Sequence, residues 1–153
     1  MKTKTIQVTS ILPFSEDVIW ENLMLFSTLK YITAPFATFT PINDVIVWKE
    51  GEVFRFHLRL FGFIPMGVHE IKVIECNRET LSVYTHESNP RVPVWNHRIL
   101  LEPCNDRTVR YTDEVEIQAR WATPIVVVWS RVFYRHRQRK WKSLLEHQTR
   151  QSN

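Results

Sequence analysis

The sequence predicts a single α+β domain over residues 1–153, in which one strand and two short helices precede six antiparallel strands and one long helix. Three observations carry this prediction. The chain has 153 residues, of which 44% are hydrophobic, so it can bury one sizeable core but is too short for two ordinary domains. Between Ala37 and Trp121, strand-length apolar stretches alternate with turn residues, as in an antiparallel meander. From Thr123 to Gln151, no glycine or proline after Pro124 interrupts a helical pattern.

The first elements follow from periodicity and capping. Apolar and polar residues alternate over Lys4 to Leu12, which predicts an opening strand. Ser15 is followed by two acidic residues, a typical start of a helix, and helical spacing continues to Ser27. A shorter helical piece is predicted over Leu29 to Ile32, before Pro35.

Six further strands are predicted because β-branched and aromatic stretches are separated by Gly, Pro, Asn and Asp. They are expected over Asp44 to Lys49, Glu52 to Phe61, Val68 to Glu75, Leu81 to His86, Val94 to Glu102 and Thr108 to Ala119.

The last helix has the clearest signal. Thr123 can cap it, and Pro124 suits the first helical position, where a missing N–H has no cost. A helix of about 25 residues would be roughly 37 Å long. The opening turn, Ile125 to Trp129, is apolar on all sides and is expected to be enclosed. The second half is amphipathic, with Phe133, Trp141 and Leu144 on its apolar side.

Composition excludes several classes of protein. The three glycines do not have the spacing of a dinucleotide- or phosphate-binding loop. Cys76 and Cys104 have no Cys or His partners at zinc-ligand spacing, so we predict no metal, no cofactor and no disulfide framework. The formal charge of +4 is too mild to indicate a nucleic-acid partner. No apolar run has the length of a signal-peptide core or a membrane span, so a cytoplasmic protein is expected.

Alternation along two strands places a histidine and a carboxylate together. In Val109 to Ala119 the odd positions are apolar except Asp113, so Asp113 is predicted to point inward. On the preceding strand His97 shares its face with Ile99 and Leu101. Two hairpin registers are compatible with inward residues facing each other, one with His97 opposite Asp113 and the other with the pair on a diagonal. Both leave the Cβ atoms about 5 to 7 Å apart.

The pair has two interpretations at this stage. In the first, His97 and Asp113 form a polar anchor for a ligand or a general acid/base dyad, with Asp113 orienting His97 and raising its pKa. In the second, they are a satisfied pair that only fixes the register of the sheet.

Basic residues of the last helix also have alternatives. Arg137 lies within the apolar side and could reach Asp113 or an anionic ligand group, or its stem could extend to solvent. The outer row is a solvated face, or it binds nucleic acid or an anionic membrane surface. This row comprises Arg131, Arg135, Arg139 and Lys142.

The order of the elements resembles the START-like or SRPBCC superfamily over essentially the whole chain. Three segments add local similarity to its bacterial ligand-binding or polyketide cyclase-like branch: Trp95 to His97, Arg110 to Val115, and Tyr134 to Trp141. The resemblance implies the helix-grip fold, in which a curved seven-stranded antiparallel sheet grips the long helix and leaves a cavity. It also implies binding of lipids, sterols, polyketides or other apolar molecules.

We therefore predict binding of a small, mainly apolar molecule between sheet and helix. The predicted ligand-binding residues are Trp95, His97, Tyr111, Asp113, Phe54, Phe56, Phe133 and Arg137. One alternative is an enzyme of the aromatase, cyclase or dehydratase type that uses His97 and Asp113 as catalytic residues. A second alternative is a lipid carrier that contacts membranes through the basic helix face and the loop around Phe63.

Overall fold

Alternating apolar and polar residues build one curved sheet of seven antiparallel strands. The computed structural model describes residues 2–42 and 46–152. The strands are β1 (Lys4–Leu12), β2 (Ala37–Pro41), β3 (Val53–Leu60), β4 (Ile64–Asn77), β5 (Ser82–Ser88), β6 (Val94–Pro103) and β7 (Val109–Gln118). Across the sheet they follow the order β1-β7-β6-β5-β4-β3-β2. Sequential strands are therefore neighbours except where β1 pairs with β7, and β1 and β2 form the two edges.

Three α-helices cover one face of this sheet in the described part of the chain. They are α1 (Glu16–Leu23), α2 (Phe26–Thr33) and α3 (Thr123–Ser152), and a 3₁₀ turn at Arg120–Ala122 leads into α3. The long helix packs against α2, β1 and β7. Seven antiparallel strands, two short helices and one long C-terminal helix make the predicted helix-grip α+β fold, which is confirmed.

The second strand lies earlier than predicted. Ala37–Pro41 pairs with β3, whereas residues 46–49 have no regular secondary structure and Asp44 lies outside the described residues. The apolar pattern predicted a strand here, and Ile46 and Trp48 do pack against the core, but the backbone of residues 46–49 pairs with no strand. Trp48, for example, contacts the ring of Phe54 edge-on at 5.4 Å between centroids.

The predicted helix from Ser15 to Ser27 is two helices. Ser15 caps α1 by accepting the Val18 N–H at 3.4 Å, as expected. The chain then becomes extended at Leu25, and α2 starts at Phe26. This break allows the Phe26 ring to stack on Phe56 in the sheet, with centroids 5.6 Å apart. Tertiary packing therefore overrides a continuous helical pattern.

The long helix is confirmed, but the burial of its first turn was predicted wrongly. Ile125 and Val128 are 67% and 62% exposed, because only one side of this turn faces the sheet. Farther along, Leu145 rather than Leu144 continues the buried side. That side also carries Ser130, Phe133, Tyr134, Arg137, Gln138 and Trp141.

Candidate ligand-binding site

Strand pairing brings the two predicted polar residues together on the buried face. In the β6–β7 register His97 lies opposite Val115, and Asp113 lies opposite Ile99, so the polar pair occupies a diagonal. His97 is 6% exposed and Asp113 is 1% exposed. The prediction that both point inward and meet is confirmed, and the diagonal register is the one adopted.

Asp113 has a partner for each of its carboxylate oxygens. His97 Nε2 lies 2.7 Å from Oδ1, and Gln138 Nε2 donates to Oδ2 at 3.0 Å. The same Gln138 nitrogen donates to the Val8 carbonyl at 2.7 Å, which links α3 to β1 and β7. The buried carboxylate is thereby compensated by hydrogen bonds from two elements.

A second carboxylate lies on the other side of His97. Glu87 Oε2 is 3.7 Å from His97 Nδ1, and Glu87 Oε1 is 2.9 Å from His69 Nε2. The Thr85 hydroxyl also donates to Glu87 Oε2 at 2.8 Å. Imidazoles and carboxylates thus alternate in the order His69, Glu87, His97, Asp113, and we call these four residues the polar cluster.

Asn89 fixes the tautomer of His69. Asn89 Oδ1 accepts the backbone N–H groups of Arg91 and Val92, each at 2.9 Å. Its Nδ2 is left to donate to His69 Nδ1 at 3.1 Å. Because His69 Nδ1 is the acceptor, the Nε2 proton faces Glu87.

The cluster shifts the pKa values of its members in opposite directions. Burial by itself lowers the pKa of His97, but hydrogen bonds with Asp113 and Glu87 outweigh it, so the pKa is raised above its usual value. Burial by itself raises the pKa of Glu87, but hydrogen bonds with His69 and His97 outweigh it, so the pKa falls well below its usual range. The expected rise in the pKa of His97 is confirmed, and Glu87 contributes to it alongside Asp113.

Arg137 projects from α3 into the same region. It is 6% exposed, so the alternative that its stem extends to solvent is wrong. Its Cζ atom lies 5.0 Å from the ring centroid of Tyr134 and 5.7 Å from that of Phe133. Among the described residues, no carboxylate lies within ion-pair distance of the guanidinium, and Nε has no hydrogen-bond partner. Arg137 therefore does not pair directly with Asp113.

Two cavities flank the polar cluster between the sheet and the helices. The smaller, about 80 Å³, lies beneath α1 and α2, and His97 forms part of its wall. The larger, about 250 Å³, lies beside the first half of α3, and its wall includes Trp95, Trp129 and Phe133. Phe39, Glu87 and Arg137 line both cavities, so charged groups stand between two apolar spaces.

A β-bulge between β3 and β4 places Met66 in the wall of the larger cavity. The β3–β4 register shifts so that Leu58 pairs with Gly67 and Arg59 with Pro65, which leaves Met66 as the extra residue, and Met66 lines the cavity. Gly67 has φ +82°, and a Cβ there would lie 3.2 Å from the Pro90 side chain. A glycine therefore suits both the backbone conformation and the close approach at this point.

The predicted ligand-binding residues divide into two groups. Trp95, His97, Phe133 and Arg137 line at least one of the two cavities. Phe54, Phe56 and Tyr111 are buried in the packed core instead, and neither cavity has them in its wall. Asp113 is also outside both walls and adjoins the smaller cavity through His97.

Sequence reasoning missed Glu87, His69 and Gln138, although a signal existed for each. Glu87 continues the inward alternation of Val83 and Thr85, but the predicted strand ended at His86. His69 likewise lies on the same face of β4 as Ile71 and Val73. Gln138 lies one turn from Tyr134 and Trp141 on the buried side of α3. Each would be found by treating polar residues at inward positions as members of the site.

The comparisons with solved structures show the fold. The chain is similar to the Zhui aromatase/cyclase from Streptomyces sp. R1128, with 11% identity, a TM-score of 0.78 and 96% of each chain covered. It is similar to a START superfamily protein from Mycobacterium smegmatis, with 10% identity, a TM-score of 0.72 and coverage of 94% and 97%. It also resembles truncated norcoclaurine synthase from Thalictrum flavum, with 15% identity, a TM-score of 0.69 and coverage of 94% and 93%. The chain thus has the START-like helix-grip fold.

A family profile identifies the family of this chain. The family described as "Domain of unknown function (DUF8410)" matches residues 10–145, and the chain belongs to it. No curated protein matches the chain.

Two further observations concern the described residues only. Within residues 2–42 and 46–152, no helix is long and apolar enough to cross a membrane. No group of three or more His, Cys, Asp or Glu side chains in these ranges has an arrangement that could hold a metal ion.

Proposed function

We propose that this chain binds a small, mainly apolar molecule in the two cavities between the sheet and the helices. The observation that carries the proposal is a hollow, apolar interior crossed by a buried cluster of ionisable side chains. Burial of apolar ligand surface would supply most of the affinity, and the few polar groups would set the orientation. His97 and Arg137 are the polar anchors in this proposal, and Asp113 positions His97.

A neutral fluorescent dye tests the cavity directly. N-phenyl-1-naphthylamine carries no charge, so its binding reports apolar space rather than surface electrostatics. We expect saturable binding by the wild type and weaker binding by Leu58→Trp, since Leu58 lines the larger cavity and the larger side chain fills it. The matched control is Val68→Trp, because Val68 is 41% exposed on the same sheet.

The control variant should bind the dye like the wild type. Equal binding by Leu58→Trp and Val68→Trp would contradict an internal site. Native mass spectrometry of freshly purified protein adds an independent measurement, because a molecule held in the cavities would be detected as a discrete mass increase.

A second candidate function is proton-transfer catalysis of the aromatase, cyclase or dehydratase type. The observation that favours it is a buried imidazole held between two carboxylates at the wall of a cavity. In this arrangement His97 could act as the general acid/base, and Asp113 would hold its orientation. The aromatase/cyclase neighbour is compatible with such chemistry but shares only the fold.

The two candidates differ in what loss of His97 does. A dehydratase would convert 3-hydroxyoctanoyl-N-acetylcysteamine to the enoyl thioester. With an enzyme, His97→Gln removes this turnover and leaves dye binding intact. With a binding protein, no wild-type turnover occurs above the rate without protein, and His97→Gln changes only the binding of polar ligands.

A further inference from the structure

Two buried hydrogen-bond donors on α3 lack partners. Of the described side chains, the buried nitrogen or oxygen atoms without a hydrogen bond are Trp129 Nε1 and Arg137 Nε. Both residues line the larger cavity. They are two helical turns apart, which is about 12 Å along the helix axis at 1.5 Å per residue. Phe133 lies between them and stacks on Trp129, with centroids 4.8 Å apart.

The neighbouring acceptors are already occupied. The oxygens of Asp113 face His97 and Gln138, and those of Glu87 face His69 and Thr85. The Tyr134 hydroxyl accepts the indole N–H of Trp95 at 2.9 Å. The Tyr111 hydroxyl accepts the indole N–H of Trp141 at 3.1 Å. The wall of the larger cavity therefore contains two unpaired donors, and one of them belongs to a permanent cation.

The guanidinium of Arg137 packs against two aromatic rings. Its Cζ lies 5.0 Å from the ring centroid of Tyr134 and 5.7 Å from that of Phe133, and such cation–π contacts do not themselves occupy N–H groups. An in-plane fork of donors matches the two oxygens of a carboxylate better than a single neutral acceptor.

We infer that the ligand is a carboxylate with a flat aromatic body and a second hydrogen-bond acceptor at its far end, bound between Arg137 and Trp129. This inference rests on the proposed binding function and names its ligand class. The body would lie against Phe133, Trp95 and Phe39, all of which line the larger cavity. A volume of about 250 Å³ is roughly eight times the ~30 Å³ that one water occupies in the liquid. A bicyclic aromatic acid is of suitable size.

Three related probes separate the two polar contacts. They are 6-methoxy-2-naphthoate, its uncharged carboxamide, and 2-naphthoate, which lacks the second acceptor. We expect wild-type protein to bind the methoxy acid about tenfold or more tighter than its amide in calorimetric titrations, because the amide cannot form the charged contact. We expect a smaller preference, a few-fold, for the methoxy acid over 2-naphthoate.

Variants assign each preference to one side chain. Arg137→Gln should bring the acid-to-amide ratio to about one and leave the methoxy preference in place. Trp129→Phe should remove the methoxy preference and leave the acid-to-amide ratio unchanged. The matched controls are Arg135→Gln and Trp121→Phe, which replace the same residue types at exposed positions of the same chain segment.

The outcomes separate this inference from the proposed function. If N-phenyl-1-naphthylamine binds inside while the acid binds no tighter than its amide, the cavity stands and the carboxylate inference is overturned. An acid preference that survives in Arg137→Gln but not in Arg135→Gln also overturns it. If neither dye nor naphthoates bind, both proposals fail. Thermal denaturation checks that each variant folds, and the wild-type acid-to-amide ratio decides the question even where Arg137→Gln does not fold.

Discussion

Each ring nitrogen of His97 lies near a carboxylate. Nε2 is 2.7 Å from Asp113 Oδ1, and Nδ1 is 3.7 Å from Glu87 Oε2. Both carboxylates favour the protonated imidazole, and together they overcome the burial that opposes it. Removal of one partner leaves a buried charge without compensation, which typically costs several kcal/mol. The protonation of this one residue is therefore coupled to the stability of the fold.

The raised pKa predicts how stability depends on pH. A histidine with a raised pKa in the folded state stabilises the protein fully below its unfolded pKa of about 6.5. This contribution is lost as the pH rises through the folded pKa. We therefore expect the free energy of unfolding of the wild type, relative to His97→Gln, to decrease as the pH rises above the unfolded pKa of about 6.5. Urea denaturation at several pH values measures it.

The matched control for this measurement is His86→Gln, since His86 is exposed on the neighbouring strand. Its stability should follow that of the wild type across the same range. A constant difference between wild type and His97→Gln would contradict a raised pKa. The measurements stay above about pH 5.5 because the contribution of Glu87 to stability changes with pH in the opposite direction. The pKa of Glu87 is lowered in the folded state. Its contribution is therefore present above the unfolded pKa of about 4.3 and is lost as the pH falls below that value.

Among the secondary-structure elements, α3 contacts two strands of the sheet through the side chain of Gln138. Gln138 donates to the Val8 carbonyl and to Asp113, and it accepts from the Ser10 hydroxyl. One side chain thus contacts β1 and β7 and satisfies a buried backbone acceptor and a buried carboxylate. Both would lose a donor if the amide were removed.

We predict that Gln138→Ala lowers the free energy of unfolding by about 1 to 3 kcal/mol, since it leaves buried acceptors unsatisfied. Arg139→Ala, at the next and exposed position, should change stability by less than about 0.5 kcal/mol. Chemical denaturation of both variants at neutral pH is the measurement. Equal effects at the two positions would show that the glutamine does not connect the helix to the sheet.

The alternation of apolar and polar residues and the helix-capping residues predicted much of the fold, because both are local properties of the sequence. Alternation correctly assigned the faces of β6 and β7, and the N-cap at Ser15 was correct. The break at Leu25 was missed because the stacking of Phe26 on a distant strand causes it. Glu87 was missed because pairing with β4 and β6 extends β5 beyond His86. Local sequence patterns predict which face of a strand or helix a residue occupies. The ends of the elements and the walls of the cavities depend instead on contacts with residues distant in sequence.

At the scale of the molecule, apolar groups remain outside as well as inside. Four residues that are 49% to 81% exposed follow one another at intervals of four, three and four from the 3₁₀ turn into the start of α3. They are Trp121, Ile125, Val128 and Val132. Ile125 also lines the larger cavity, as does Met66. Phe63, three residues before Met66, is 74% exposed. We call these five exposed residues the apolar rim.

Basic residues continue the side of α3 that carries three residues of the apolar rim, Ile125, Val128 and Val132. Arg135 and Arg139 are exposed and project within about 80° of Ile125 at 100° per residue. Exposed apolar side chains beside positive charge suit the surface of an anionic bilayer, where both find favourable partners. Such a contact would bring the larger cavity next to the lipid, which is relevant for an apolar ligand of low solubility.

We therefore predict weak, salt-dependent co-sedimentation with phosphatidylglycerol vesicles and less with phosphatidylcholine vesicles. Arg135→Glu/Arg139→Glu should remove the salt-dependent part, because it reverses charge beside the rim. Trp121→Ser/Ile125→Ser should weaken binding at every salt concentration, because it removes apolar contact. Arg107→Glu/Arg150→Glu makes the same change in net charge away from the start of α3 and should bind like the wild type. Equal binding to both kinds of vesicle, or equal loss in the two charge-reversal variants, would contradict a role for this face.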